Sequence, residues 1–430
     1  MTNDAKIDQK EMGSRIRQAR EACGLTQEQV AGHLGLKRPV VSLIESGERA
    51  VSLAELEKLS YFFGRRPYDL MGEGFVSRSP IGDLLKAHLG GGAENEVSRA
   101  IRRAMQVGHE LANLEEKLGK ATPGVPKFEL GAPVTRFEAI KQGREVAELE
   151  RRRLGLGDLS VPELAEVLEA QGVKVGFVEL PDEVLEITLQ PREEGSFIFA
   201  DASRSLARVR FSLAHGLGHV LMDGQIEGTV CRAADREKLI EIRANAFAAA
   251  FLMPEGGLRA FLGGIGKGQP SRIFEQVFDG HEVVPVEGRT VPGSQDLQAW
   301  DLVRMSKAFG VGEGDLLHRL QSLRLIDKKE LERLEEQERA LGPVVREALE
   351  IEEPAGEEIH AAWRARVVSR LFEAYVREVF SQGKILEVAK LVGADLKALK
   401  KVFQEFDSEP REVNRKVVEK LSPARGRISS

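Results

Sequence analysis

The chain has 430 residues, 42% of them hydrophobic and 30% charged, with a formal net charge of −6 at pH 7. That composition suits a water-soluble protein of two to four compact units, and an acidic balance excludes nucleic-acid binding through bulk charge alone. Nothing approaches the roughly 20 consecutive apolar residues that a membrane crossing demands, and the polar first residues lack the apolar core of a signal peptide, so a cytoplasmic protein with no membrane partner is expected.

From Gly13 to Cys23 the pattern is an amphipathic helix, with Ile16 and Ala19 opposite Arg17 and Arg20, and Gly24 ends it. Thr26 and Gln29 have the spacing of a capping box and open a helix through Val30, Ala31 and Leu34. After the turn at Gly35-Leu36, Lys37 to Ser46 predicts the next helix, with Pro39 in the first turn where no intrahelical donor is needed. Ser52 caps Leu53 to Phe63, and Tyr68 and Leu70 close the unit. Two short helices across a tight glycine turn are the arrangement that delivers the second to a major groove.

The runs Leu25-Thr-Gln-Glu-Gln-Val-Ala and Val41-Ser-Leu-Ile-Glu-Ser-Gly-Glu-Arg resemble the phage-repressor (XRE) helix-turn-helix family over residues 13 to 72. The resemblance implies a double-stranded DNA operator as partner, with Lys37, Arg38, Pro39 and Leu43 facing the groove and Gln27, Ser42 and Arg49 near the phosphate backbone. Arg38 is the best base reader, because a guanidinium grips O6 and N7 of guanine together. So small a module rarely holds one half-site tightly, so a homodimer on a pseudo-palindrome is expected. An interaction module without a DNA role is the alternative.

Residues 74–127 are punctuated by glycine (Gly90-Gly-Gly), with Leu84, Leu85, Leu89, Ile101, Met105, Leu111, Leu114 and Leu118 at helical spacing. They read as a helical connector, either a dimerisation surface or a solvated spacer. From Phe128 a new unit begins: a helix from Arg136 to Leu154, a second from Val161, and two β-like runs, Val173 to Val178 and Ser196 to Ala200.

The stretch Phe211-Ser-Leu-Ala-His-Gly-Leu-Gly-His-Val-Leu-Met-Asp223 is apolar and helix-like, and places His215 and His219 four apart, so one helical face aims both imidazoles at a single ion. In the zinc-peptidase pattern H-E-x-x-H the residue after the first His is the general base; here it is Gly216. An interior helical Gly costs about 1 kcal/mol relative to Ala, so helix formation does not favour it. Asp223 and Glu227 are the nearby acids. The two cysteines, Cys23 and Cys231, lie far apart, arguing against a disulfide framework and against a cysteine-based zinc site.

Together with Glu241-Ile-Arg-Ala-Asn-Ala-Phe-Ala-Ala-Ala-Phe-Leu-Met-Pro254, the His run resembles the ImmA/IrrE family of bacterial metallopeptidases. The resemblance implies zinc as cofactor, His215, His219 and Glu241 as its ligands, and Gly216 in the place of the catalytic Glu. It also matches Arg208 and Arg210 to a basic pair ahead of the His run. A protein partner or peptide is implied as well.

Beyond Pro254 comes a Gly-rich polar stretch containing His281, which reads as a surface or satisfied residue rather than a ligand, then a helical pattern from Trp300 to Ile326 on which His318 reads as core. Lys328 to Ala340 reads as a solvated helix, Glu352 to Glu358 as an acidic break, Ala361 to Phe406 as a worn helix-turn-helix used for packing or protein contact, and Pro423 to Ser430 as a basic, disordered end. The expected fold is mostly α: a phage-repressor-like helix-turn-helix (1–73), a helical connector (74–127), a zincin-like α+β domain with a small sheet (128–326) and a helical C-terminal region (327–430). The functional expectation is a DNA-binding transcriptional regulator whose metallopeptidase-like domain has lost catalysis. A working zinc endopeptidase and a purely binding protein are the alternatives.

Overall fold

The computed structural model describes residues 8–65, 67–71, 84–86, 95–120, 124–191, 194–268, 272–278, 280–289, 291, 293–351 and 356–408. Leu89, Gly90-Gly-Gly, most of the acidic break and the basic end fall outside them. The protein is mostly helical, with a helix-turn-helix first, a small mixed sheet at the centre and a helical end. No described helix is long and apolar enough to cross a membrane.

Five helices open the chain, α1 (Gln9–Ala22), α2 (Gln27–Leu34), α3 (Arg38–Glu45), α4 (Leu53–Phe63) and α5 (Pro67–Met71). The first begins earlier than Gly13, because the Asp8 side chain accepts the Lys10 amide at 2.8 Å and caps it. Both halves of the Thr26–Gln29 capping box are made, at 3.2 and 2.7 Å, and Ser52 with Glu55 repeats it for α4. Gly35 ends α2 at φ +70°, a left-handed conformation that residues with a Cβ rarely adopt, and sets the tight turn into α3. Ile16, Ala19, Val30, Val41, Ile44, Leu59 and Phe63 form the core. Above it, Arg20 Nε donates to Glu45 Oε1 at 2.6 Å and Gln27 Nε2 to Glu45 Oε2 at 2.9 Å, tying α1, α2 and α3 to one buried carboxylate.

A long helix, Glu96–Lys117, carries the chain onward. Its stripe of Ala100, Ile101, Ala104, Val107, Leu111 and Leu114 is buried within the chain, so the apolar face read as a dimerisation surface or spacer is already covered. At one end the Arg102 guanidinium lies 4.3 Å over the Phe62 ring and donates to Phe62 O at 2.9 Å. Further along, Gly108 lies flat against Phe197 and Phe199, where a Cβ would stand 3.3 Å from each ring. One helix therefore touches both the N-terminal unit and the central sheet.

That sheet has the order β1-β3-β2-β4, from β1 (Val173–Phe177), β2 (Val184–Leu189), β3 (Ser196–Ala200) and β4 (Gly228–Arg232). β1 runs parallel to β3 and the other pairings are antiparallel. Sequence pattern found β1 and β3 and missed β2 and β4. Phe197 and Phe199 face the long helix, and by strand alternation Ile198 faces the opposite side, where it meets the helix carrying the histidines.

The His helix, Leu206–Met222, and the Glu helix, Leu239–Leu252, cross closely because Gly218 lets Phe247 and Ala244 approach: a Cβ there would be 3.1 Å from the Phe247 ring. Gly143 in the helix Arg136–Arg153 plays the same part on the other flank, under the Phe247 amide. Arg210 is a staple: it is buried and donates to Val161 O at 2.7 Å, Pro162 O at 3.1 Å and Gly310 O at 3.1 Å.

After the helix Glu255–Gly264 comes a hairpin of β5 (Arg272–Phe278) and β6 (Val283–Arg289), followed by helices Ala299–Phe309 and Glu313–Ser322. The chain returns to the Met-Pro corner through Arg319, which is buried and donates to Met253 O at 3.1 Å. His318 is exposed, not core: Leu316, Leu317 and Leu320 define the buried face and residue 318 points away from it. His281 is exposed too. The helix Lys328–Ala348 buries only Leu331, Leu334 and Gly342. In the next helix, Gly356–Val376, Trp363 Nε1 donates to Val175 O at 2.7 Å and covers the outer edge of β1. Helices Gln382–Leu391 and Leu396–Ser408 complete the C-terminal packing, with Lys384 reaching Glu110 at 2.7 Å.

Candidate functional site

Helical spacing brings the two imidazoles together as expected: His215 Nε2 and His219 Nε2 are 3.1 Å apart, at 3% and 0% exposure. The other ring nitrogens are spoken for. His219 Nδ1 pairs with Asp223 Oδ2 at 2.7 Å, and His215 Nδ1 with the Asn245 side-chain oxygen at 3.0 Å. Both acceptors call for Nδ1–H tautomers, which leaves the Nε2 lone pairs facing each other. Asp223 is itself fixed by a salt bridge from Arg243.

Glu241, in the first turn of its helix, puts Oε2 3.3 Å from His215 Nε2 and Oε1 3.7 Å from His219 Nε2. Two imidazole lone pairs and a carboxylate thus converge on one point, which is tolerable in a buried site only around a positive charge. The same acceptors also attract a proton: burial opposes protonation of His219, yet the hydrogen bonds to Asp223 and Glu241 outweigh it and push its pKa up to about 10. For Glu241 burial acts upward, but His215 and His219 hold it well below the usual carboxylate range. Three acceptors with their outer nitrogens held by a carboxylate and an amide are the chemistry of a divalent-cation site, so the residues present fit zinc.

Two further donors were missed by sequence reasoning. Glu186 on β2 and Cys231 on β4 are cross-strand partners, so their side chains stand on one face of the sheet, and a register shift between Val184 and Glu186 re-aims that end of β2. Cys231 Sγ lies 3.4 Å from His219 Nε2 and donates to Glu186 Oε1 at 3.0 Å; Glu186 Oε2 accepts from Thr188 Oγ1 at 2.8 Å. Ligand atoms of Glu186, His215, His219 and Cys231 all lie within 4.8 Å of one another. Burial pushes both the Glu186 carboxyl and the Cys231 thiol up from their ordinary values. Sequence distance argued against a cysteine-based zinc site, yet sheet pairing, which that distance does not report, brings Cys231 beside the histidines.

Gly216 also has a packing role that the sequence did not reveal. A Cβ built on it would fall on the Glu186 carboxylate, 2.6 Å from Ile198 Cγ2 and 2.8 Å from Thr188 Oγ1. The His helix can lie this close to β2 and β3 only with glycine there.

At the N-terminal unit, Lys37, Arg38, Pro39, Ser42 and Leu43 form one exposed surface around the start of α3, Leu43 being 41% exposed despite its apolar side chain. Gln27 and Arg49 are differently placed. Gln27 is engaged with Glu45, and Arg49 pairs with Glu55 at 2.8 Å while keeping about a third of its side chain exposed.

Comparison with known families agrees with the two units. Residues 16–70 match the family model described as helix-turn-helix, and residues 168–268 match that of the IrrE N-terminal-like domain. The chain therefore contains an XRE-type helix-turn-helix domain and an IrrE/ImmA-like domain, the latter of a family of zinc metallopeptidases. No curated protein matches the chain.

Proposed function

We propose that the chain is a sequence-specific DNA-binding transcriptional regulator, cytoplasmic and acting as a homodimer. In this reading its metallopeptidase-like domain senses a signal or binds a partner protein or peptide, with little or no peptidase activity. Residues 1–73 bind the operator, 74–127 connect, 128–326 carry the metal centre and 327–430 brace it. His215, His219 and Glu241 hold zinc; Lys37, Arg38, Pro39 and Leu43 meet the groove, and Gln27, Ser42 and Arg49 lie along the backbone. Bound there, zinc supplies the positive charge that lets the converging acceptors share one point.

The observation that carries the reading is Gly216, whose Cα packs against β2 and β3 with no space for a general-base side chain. General-base assistance contributes about 10²- to 10⁴-fold, so peptide hydrolysis without it is feeble. The test combines elemental analysis, duplex selection from a random library, and incubation with unfolded protein substrates and host repressors. About one zinc per chain, lost in His215→Ala, a selected operator and no cleavage are expected.

Glu186 supports a second reading, an active zinc endopeptidase that cleaves a repressor or antitoxin in a stress, phage or mobile-element response. Its carboxylate occupies the volume beside Gly216 where the general base would otherwise stand. Cleavage that is chelator-sensitive and lost in Glu186→Gln would establish this reading over the first.

A further inference from the structure

The ligand set implied by the His and Glu helices is three residues. Around zinc, tetrahedral nitrogen and oxygen donors stand about 3.3–3.6 Å apart, and a thiolate sulfur about 3.5–3.7 Å from them, given bonds of about 2.0–2.2 and 2.3 Å. Five of the six edges among four residues here come close to those values. His215 and His219 are 3.1 Å apart, and Glu241 lies 3.3 and 3.7 Å from them. Cys231 Sγ lies 3.4 Å from His219 Nε2, 3.7 Å from Glu241 Oε1, and within 4.8 Å of the His215 ligand atom.

We infer that Cys231 is the fourth ligand, closing with His215, His219 and Glu241 a tetrahedral centre that has no position left for water. The inference deepens the proposed function and rests on the reading of this cluster as a zinc site. Three features of the fold put the thiol there. β4 follows the His helix directly and enters the sheet as an edge strand beside β2. The register pairs Cys231 with Glu186, and so turns Sγ toward the His helix rather than the solvent. The thiol is completely buried and makes polar contacts with His219, Glu186 and Glu241.

Ligation breaks the S–H bond as the metal–sulfur bond forms, and the existing hydrogen bond directs the proton to Glu186 Oε1, 3.0 Å away. Glu186 is thereby a partner of the sulfur rather than a group facing an open coordination position. A centre closed by sulfur is of the structural kind, in which the metal holds the sheet, the His helix and the Glu helix together. Its occupancy reports on metal supply, and the long helix that touches this sheet also touches α4 of the DNA-binding unit.

The test is spectroscopic and uses the full chain. Loaded with cobalt(II), the wild type is expected to take up about one ion and show thiolate-to-cobalt charge-transfer absorption in the near ultraviolet. Cys231→Ser should lose that absorption and bind the ion about tenfold or more weakly. X-ray absorption on the zinc-loaded wild type should show one sulfur at about 2.3 Å, a result that does not depend on the variant folding. A full metal complement with only nitrogen and oxygen neighbours would overturn Cys231 as a ligand and leave the three-residue zinc site standing. Failure to take up either metal would overturn the zinc reading, and this inference with it.

Discussion

The carboxylate of Glu186 fills the space into which any side chain at Gly216 would have to grow. The two residues belong to different elements, β2 and the His helix, and their contact sets how near the sheet lies to the imidazoles. Substituting Gly216 by Ala gains about 1 kcal/mol in helix propensity. Against that, a methyl 2.6 Å from Ile198 Cγ2 and 2.8 Å from Thr188 Oγ1 must push the sheet away. Overpacking of this kind costs about 1–3 kcal/mol. Gly216→Ala is therefore expected to be less stable than wild type in urea unfolding, and Gly216→Glu less stable still, without gaining cleavage. Adding Glu186→Ala to Gly216→Glu should recover part of the loss, because the two side chains compete for one volume. Equal or greater stability of Gly216→Ala would remove the packing explanation for the glycine.

This relationship marks where sequence reading stopped. The pairing of His215 and His219 was legible because residues four apart share one face of a helix, and Glu241 because it opens a second apolar, Ala-rich run. The capping boxes at Thr26 and Ser52 were legible because both partners lie within one turn. Glu186 and Cys231 reach the cluster by strand pairing, which leaves no local spacing. In Val184-Leu-Glu-Ile-Thr-Leu189 the alternate Glu and Thr look like a solvent face, yet they point inward to the His helix. The register shift at Val184 further hides the pattern. His318 failed for the opposite reason: it lies among apolar residues in sequence but on the far side of their helix.

In the proposed zinc site, Asp223 acts through His219. Its Oδ2 accepts from Nδ1 at 2.7 Å and fixes which nitrogen points inward. Partners of this kind typically change metal affinity by about 10- to 100-fold when removed. Asp223→Asn, whose amide can turn an NH2 toward Nδ1, is expected to weaken zinc within that range in competition with a chromophoric chelator. Asn245→Ala should act in the same direction through His215 Nδ1. Unchanged affinity in both would mean the Nδ1 contacts do not orient the ligands.

The buried Glu45 offers a test of the DNA-binding unit that leaves its surface untouched. Its carboxylate accepts from both Arg20 and Gln27, with side-chain exposures of 11% for Arg20 and 3% for Glu45. Without Glu45, Arg20 keeps Glu21 and Leu25 O but the tie between the three helices is lost, and hydrogen bonds to a charged group are worth about 1.5–3 kcal/mol. Glu45→Ala should lower the unfolding midpoint and abolish operator binding, although Lys37, Arg38 and Ser42 remain. Full operator affinity in that variant would show that α3 is held by its apolar contacts alone.

Arg38 stands at the first residue of α3, exposed, beside exposed Lys37 and Pro39. Arginine there can make a bidentate contact with guanine, whereas a phosphate contact would carry no base preference. The two roles separate in one experiment on a duplex library. Arg38→Ala is expected to weaken the selected operator by about 1–3 kcal/mol and relax preference at a single base position. Lys37→Ala, if it meets only phosphate, should weaken all duplexes alike and reduce the salt dependence by about one counterion. Should Arg38→Ala instead weaken every duplex equally with no position relaxed, Arg38 is a phosphate contact and the base reading belongs to another residue of this surface.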